Sequence, residues 1–546
     1  MISKIGLIYF ILFGFHAFAQ QKLYNKYDFL HGKLNAFRAC YDVKCYNISL
    51  KVVPEKKYIE GLNRMTFVAT QVSEKIQLDL DYRMSIQKLV MNNEVLNYKR
   101  DSSAIFVQLN QKLQKGKVYE LYIYFAGAPR IAVKPPWDGG FVWKKDDDGN
   151  PFIGVACEGV GPSIWLPGKD HWSDEPDSMK MQLSVPTGLT GVSNGKLVHV
   201  DEPNNGYQSF HWKVSYPINM YGITVNIGKY THLHDSYLSI LQPDKKPLEI
   251  NYYVLEKHRV KAQKHFEQVQ PMMRCFERLM GEYPFWNDGY KLVESPYWGM
   301  EHQSCVAYGN DFTNNRYNFD FIIIHESAHE WFANAITAND PADMWIHESF
   351  TTYAEALYVE CISGHEDYVQ YLKDQKREIK NKFPLLGPRD VYFHKRSDND
   401  IYYKGSWILH TLRSTLDNDS IFFGLLKGIV KEFSYTTINT ETIINFINTY
   451  TARNLNPFFD QYLKSPLLPV IEYKIIKAKE DKLIMKYRLA DATKGFEMAV
   501  KVNTTKGKWD FITPTKSWQL IDLNYFDEND FAFQHDYFLI QTRKLK

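Results

Sequence analysis

Phe321-Ile322-Ile323-Ile324-His325-Glu326-Ser327-Ala328-His329-Glu330-Trp331-Phe332 decides how this 546-residue chain is read. The stretch reads as helix, and residues four apart on a helix share one face. His325 and His329 therefore present two imidazole nitrogens to one ion, with Glu326 beside the open coordination position. That is a zinc site with a general base attached. In a chain with 17 histidines, chance yields H-E-x-x-H on the order of a few per cent of the time. A catalytic zinc takes a third protein ligand and keeps its fourth position open. The segment Trp345-Ile346-His347-Glu348-Ser349-Phe350 offers that ligand, as a second helix begun after the turn Asn339-Asp340-Pro341. Neighbours on a helix point roughly 100° apart, so only one of His347 and Glu348 faces the ion.

The rest of the composition bounds the class. The length suits about three or four domains, and a chain that is 45% hydrophobic and 15% aromatic has well-filled cores. Lys plus Arg (65) nearly balances Asp plus Glu (63) with no long basic block, which argues against a nucleic-acid partner. Residues 1–19 read as a secretory signal peptide: Lys4, an apolar stretch from Ile5 to Phe15, then Ala17-Phe18-Ala19 before Gln20, with cleavage after Ala19. The apolar run is shorter than the roughly 20 residues a span requires, and no later segment reads as one. The mature chain is expected to be exported, periplasmic or extracellular, with no membrane span. Six cysteines form no C-x-x-C pair; Cys40 with Cys45 is locally possible, and the pairing stays open.

Period-2 alternation marks Tyr46, Ile48, Leu50 and Val52, then Ile76, Leu78 and Leu80, then Leu121, Ile123 and Phe125. Residues 20–245 are thus expected to form a large, antiparallel β domain. Near Glu256 the spacing becomes helical at Phe266, Val269, Met273, Phe276 and Met280, with Pro271 expected to kink the helix and Gly281 to end it. Helical patterns continue through Thr351–Ile362, Glu366–Lys380, Gly405–Leu416 and Glu441–Thr451. A mainly helical catalytic domain over 246–465 and a small β domain over 466–546 complete a multidomain α+β chain.

With these residues assembled, the chain resembles the M1 family of zinc aminopeptidases, gluzincins with H-E-x-x-H and a Glu eighteen residues on. Five blocks match in order: Cys157-Glu158 with Trp165-Leu166-Pro167 and Asp174-Glu175-Pro176; Gly299-Met300-Glu301; the H-E-x-x-H with Trp331-Phe332-Ala333-Asn334 as its helix; the Glu348 segment; and Tyr402-Tyr403-Lys404-Gly405. The resemblance favours Glu348 over His347, and implies a saddle-like N-terminal β domain, a thermolysin-like catalytic domain and a small β domain. The long helical domain of many members has no counterpart, so a more open cleft is expected.

The resemblance also implies the chemistry. One Zn2+ held by His325, His329 and Glu348 activates water, Glu326 moves the proton, and Tyr402 stabilises the oxyanion. Gly299, Met300, Glu301 and Glu158 bind the substrate, the two carboxylates gripping the free α-ammonium of a peptide. The chain departs from the usual G-x-M-E-N: it reads Trp298-Gly299-Met300-Glu301-His302, and a protonatable His302 raises the expectation of pH-sensitive binding near neutrality. Glu355, seven residues after Glu348, is a candidate to orient a histidine ligand, whereas Glu330 is read as a solvated face. The alternatives are a zinc endopeptidase on the same scaffold and a non-catalytic peptide-binding relative. A leukotriene-hydrolysing reading is remote, since His394 stands where its Asp is expected. No motif specifies an oligomeric state.

Overall fold

The computed structural model describes residues 24–392, 397–478, 482–524 and 528–546. The expected leader over 1–19 and His394 lie outside those residues.

The N-terminal region is built on an eight-stranded sheet centred on Tyr41–Val53 and Tyr58–Ala69. Tyr46, Ile48, Leu50 and Val52 on one strand, and Leu121, Ile123 and Phe125 on another, are all buried. Alternation places one face of each strand in the core, as a half-buried sheet requires. Neighbouring strands run antiparallel, except that Tyr41–Val53 pairs in parallel with Ser178–Pro186. The expectation of a wholly antiparallel domain is corrected at that pair: more than a hundred residues separate the two strands, room enough for the crossover a parallel pair needs. A second sheet, of four strands, contains Pro151–Ala156, which leads directly into Cys157-Glu158.

Next comes a five-stranded sheet ordered Tyr230–Tyr237, Leu248–Leu255, Tyr290–Glu294, Val306–Tyr308, Gly299–Met300. Its first two strands lie on either side of position 245/246 and pair antiparallel, so the sheet crosses that junction. The helices Phe321–Ala328, Trp345–Ser363, His365–Glu378 and Asp400–Leu416 pack beyond it, and helices follow to Lys464. The expected helix around Pro271 is interrupted just before it, at Phe266–Gln268. The chain passes from Arg259–His265 through this short 3-10 turn into Val269–Met280, and Pro271 falls in that helix's first turn, where a missing N–H breaks no helical bond. The C-terminal region is a four-stranded sheet with a two-stranded ribbon, and its Ile471, Met485 and Leu539 share one apolar core with the helices.

Two large cores meet at the edge strand Gly299–Met300. Met300 packs with the N-terminal core, whereas Ile322, Ile323 and Ile324 belong to the helical one. Cys275 and Cys361 form a disulfide that ties Val269–Met280 to the far end of Trp345–Ser363, while Cys40 and Cys45 are free. Among the described residues no helix is long and apolar enough to cross a membrane.

Candidate functional site

Asp320 caps the helix Phe321–Ala328, its carboxylate accepting from the N–H groups of Ile322 and Ile323. The same carboxylate accepts from His265 and Tyr308, which locks the helix start in place. The three isoleucines fill the core with no exposure, and this fixes the helix rotation that turns His325 and His329 into a cavity. His325 Nε2 and His329 Nε2 lie 3.3 Å apart. Glu348 Oε2, from the helix Trp345–Ser363, lies 3.6 Å and 3.5 Å from them. A tetrahedral site with bonds of about 2.0–2.1 Å has donor–donor edges of about 3.3–3.4 Å, so the three atoms are spaced to hold one small cation. Glu348 Oε2 is buried and accepts no hydrogen bond, as befits a ligand atom.

The far sides of both imidazoles are held. His325 Nδ1 is 2.6 Å from Glu355 Oε1, and Tyr371 donates to the other Glu355 oxygen at 2.5 Å. His329 Nδ1 is 3.0 Å from both the Phe332 carbonyl and Thr351 Oγ1. With Nδ1 as the donor in each ring, the Nε2 lone pair faces the cavity. Burial resists ionisation of Glu348, but the imidazoles of His329 and His325 outweigh it and hold the carboxyl well below its usual range. Glu355, though acidic, is 2% exposed and no solvated face.

The cavity has a volume of about 520 Å³ and brings Glu158, Gly299, Met300, Glu301, Glu326 and Tyr402 together with the three donors. A Cβ at Gly299 would meet Glu326 Oε1 at 2.7 Å and Ile322 Cγ2 at 2.9 Å, so a side chain there would displace the acid. Burial pushes the Glu326 carboxyl up to about 7 against the pull of His325, so it sits where a proton is readily taken and given. Glu158 Oε1 and Glu301 Oε1 are buried and lack any hydrogen-bond partner. Burial, then the charge of Glu301, drives Glu158 well above the usual carboxylate range, which a cation between them relieves. Tyr402 stands in the first turn of Asp400–Leu416 with its ring 6.0 Å from that of His325. Burial, then Glu348, raises its hydroxyl well above the usual value, so it remains a donor. Gly405 lets this helix close on Trp345–Ser363: a Cβ there falls 1.8 Å from Ser349 Oγ.

Three expectations are corrected. The helix stops at Ala328, with His329 as its cap, and Trp331-Phe332-Ala333-Asn334 lies beyond it. Ala333 has a φ of 138°, outside helical geometry, and Asn334 Nδ2 reaches instead to the Glu301 carbonyl at 2.8 Å. Glu330 is not solvated: it is fully buried and accepts from Ser304 N at 2.8 Å and from Tyr283 at 2.9 Å, tying the turn after the site helix to the segment after Glu301. His302 is 1% exposed, has no partner on either ring nitrogen, and burial pushes its imidazole down to about 3. It is therefore neutral near pH 7, and the expected pH sensitivity of binding does not arise from it. His347 also turns away, accepting from Ala338 N at 2.8 Å and stacking on Trp172 at 5.0 Å.

Burial likewise pushes His171, His347 and His410 down to about 3. An unfolded histidine titrates near 6.5, so between about pH 6.5 and 3 these four groups bind more protons in the unfolded chain, and their contribution to stability falls as pH falls through that window. Each such group contributes up to about 1.4 kcal/mol per pH unit. The urea midpoint of His302→Gln is expected to lose less, or gain more, than the parent's between pH 7 and pH 5, because the variant lacks this group; identical slopes in parent and variant would contradict this. Sequence reading missed Phe321, Thr351 and Trp172, since stacking and distant approach leave no motif, whereas the Asp320 cap was readable as an acid before an apolar run.

Residues 294–462 match the model of the peptidase family M1 domain. Over that stretch the chain is similar to family M1 peptidases. Among curated proteins it is 23% identical over 321 residues to leukotriene A-4 hydrolase of Xenopus laevis, covering 55% of this chain and 50% of that protein. It is 24% identical over 251 residues to aminopeptidase N of Lactococcus lactis subsp. lactis, covering 41% and 29% respectively. The chain thus spans half or less of the length of these relatives. A crystal structure of an M1 zinc metallopeptidase from Deinococcus radiodurans superposes with a TM-score of 0.65 at 21% identity, covering 79% of this chain and 94% of that one. Over the matched 79% of the chain the likeness carries the fold alone.

Proposed function

We propose that the chain is a zinc-dependent aminopeptidase that hydrolyses the N-terminal bond of peptides with a free α-amine. The observation that carries this reading is the pair of buried, partnerless carboxylate oxygens of Glu158 and Glu301 in the cavity that holds the donor triad. Two carboxylates, each with a buried oxygen that lacks a donor, are complementary to an ammonium group, and they close off one end of the site to a continuing chain. His325, His329 and Glu348 fit one zinc by donor type and spacing, and zinc when bound supplies a Lewis acid that activates water and polarises a carbonyl.

The protein's own groups do the rest. Glu158 and Glu301 hold the α-ammonium, which places the first peptide bond, and no later one, beside Glu326. Glu326 takes a proton from the attacking water and returns it to the departing amine. The Tyr402 hydroxyl donates a hydrogen bond to the oxygen that becomes negative. Glu355 keeps the His325 ring in its ligating tautomer. Glu355→Ala is accordingly expected to weaken zinc binding about 10–100-fold, read by competition with a chelating dye.

The deciding experiment sets zinc-loaded protein against aminoacyl-coumarins and peptides, free and N-acetylated, with and without chelator. Cleavage of the free-amine substrates alone, abolished by chelator, is expected. Equal cleavage of the acetylated peptides would establish the endopeptidase instead. The reading includes export on the 1–19 leader, supported by the Cys275–Cys361 disulfide, a bond that persists in oxidising compartments.

A further inference from the structure

Two tryptophans stand at the mouth of the cavity with much of their surface in solvent: Trp137 is 66% exposed and Trp298 42%. Single exposed aromatics are ordinary, but these two adjoin, with ring centroids 6.0 Å apart and planes tilted by 41°. Both are held. The Trp298 indole N–H donates to Asn310 Oδ1 at 2.9 Å, and its ring stacks on Phe321 at 5.5 Å, which in turn stacks on the ligand ring of His325 at 5.2 Å. Trp137 comes from a loop of the N-terminal region, pinned where the Asp138 carboxylate accepts from Val133 N at 2.7 Å and Lys134 N at 2.8 Å. An aromatic column thus runs from solvent to the metal-binding donors, with Trp298 held at its ring, Trp137 held through its loop, and both uncovered.

We propose that Trp137 and Trp298 determine specificity by receiving an aromatic side chain from the residues that follow the cleaved bond. The assignment rests on the aminopeptidase reading. Trp298 precedes Glu301 by three residues, with the short strand Gly299–Met300 between them, so the two lie within about 10 Å at 3.3 Å per residue. A peptide whose amine lies at Glu301 advances by the same step, which brings its second or third residue level with Trp298. There a side-chain ring meets two preset indoles at offset-stacked or edge-to-face geometry, and loses little freedom in doing so. Glycine at those places gains nothing from the pair.

The test uses the zinc-loaded full chain and three peptides sharing the first residue that the coumarin panel ranks highest, followed by Gly-Gly, Phe-Gly or Gly-Phe. We expect kcat/KM for at least one phenylalanine peptide to exceed that of the Gly-Gly peptide by about tenfold. The same ratio is expected to fall below about threefold in Trp137→Ala and in Trp298→Ala, and to be kept in Trp137→Phe. Ratios taken within one variant cancel any loss of folded or metal-loaded protein. A ratio near one in the parent, or unaltered ratios in both alanine variants, overturns this assignment alone. Failure to cleave any of the three overturns the aminopeptidase reading and this assignment with it.

Discussion

Glu326→Gln in the zinc-loaded protein is expected to lower kcat by about 10²–10⁴-fold, with zinc content and circular dichroism unchanged. The side chain is nearly isosteric, and no hydrogen bond within the protein depends on its charge. What the substitution removes is the proton acceptor. Burial holds this carboxyl up at about 7, so the native group exchanges a proton at neutral pH, and the amide does not. Because the loss lies in proton movement, KM should change little. A variant retaining more than about a tenth of parental kcat would sink the assignment of Glu326 as the base.

Tyr402→Phe is expected to cost about 10²–10³ in kcat, the usual cost of one lost oxyanion donor. The ring's place beside His325 is kept, so the zinc donors stay put and KM again moves little. Burial raises this hydroxyl well above its usual value. The donor is therefore protonated throughout the neutral range and contributes no alkaline limb to the pH profile of kcat there. An adjacent-residue control, Tyr403→Phe, should leave kcat within about twofold if the hydroxyl of Tyr402 is the donor. Equal losses in both variants would return the choice between the two tyrosines to an open one.

Several residues of the site were legible because helical spacing is itself a distance. His325 and His329 had to share a face, and their Nε2 atoms lie 3.3 Å apart. Strands were equally legible where alternation ran long, as at Tyr46, Ile48, Leu50 and Val52, since one face of a sheet must be buried. Legibility failed wherever a side chain's partner came from far along the chain. Glu330 read as solvated because its neighbours in sequence are silent about Tyr283 and Ser304, the groups that bury it. The disulfide joins residues 86 apart, a closure that no local spacing announces. The parallel pairing of Tyr41–Val53 with Ser178–Pro186 was hidden for the same reason.

By itself, then, the sequence determined the elements and the donor types: a helix with two imidazoles and an acid on one face, a second helix bearing Glu348, and β regions on either side. Local periodicity and side-chain chemistry suffice for that, because both act over a few residues. Only the tertiary structure decided which groups share a cavity and in what state. It set Glu158, from the end of an N-terminal strand, beside Glu301 from an edge strand, left one oxygen of each without a partner, and buried His302 as a neutral ring. It also joined Trp137 to Trp298 across the seam between two cores. Burial and proximity are sums over the whole fold, so a carboxylate's partner and an imidazole's charge become definite only when the distant surfaces have met.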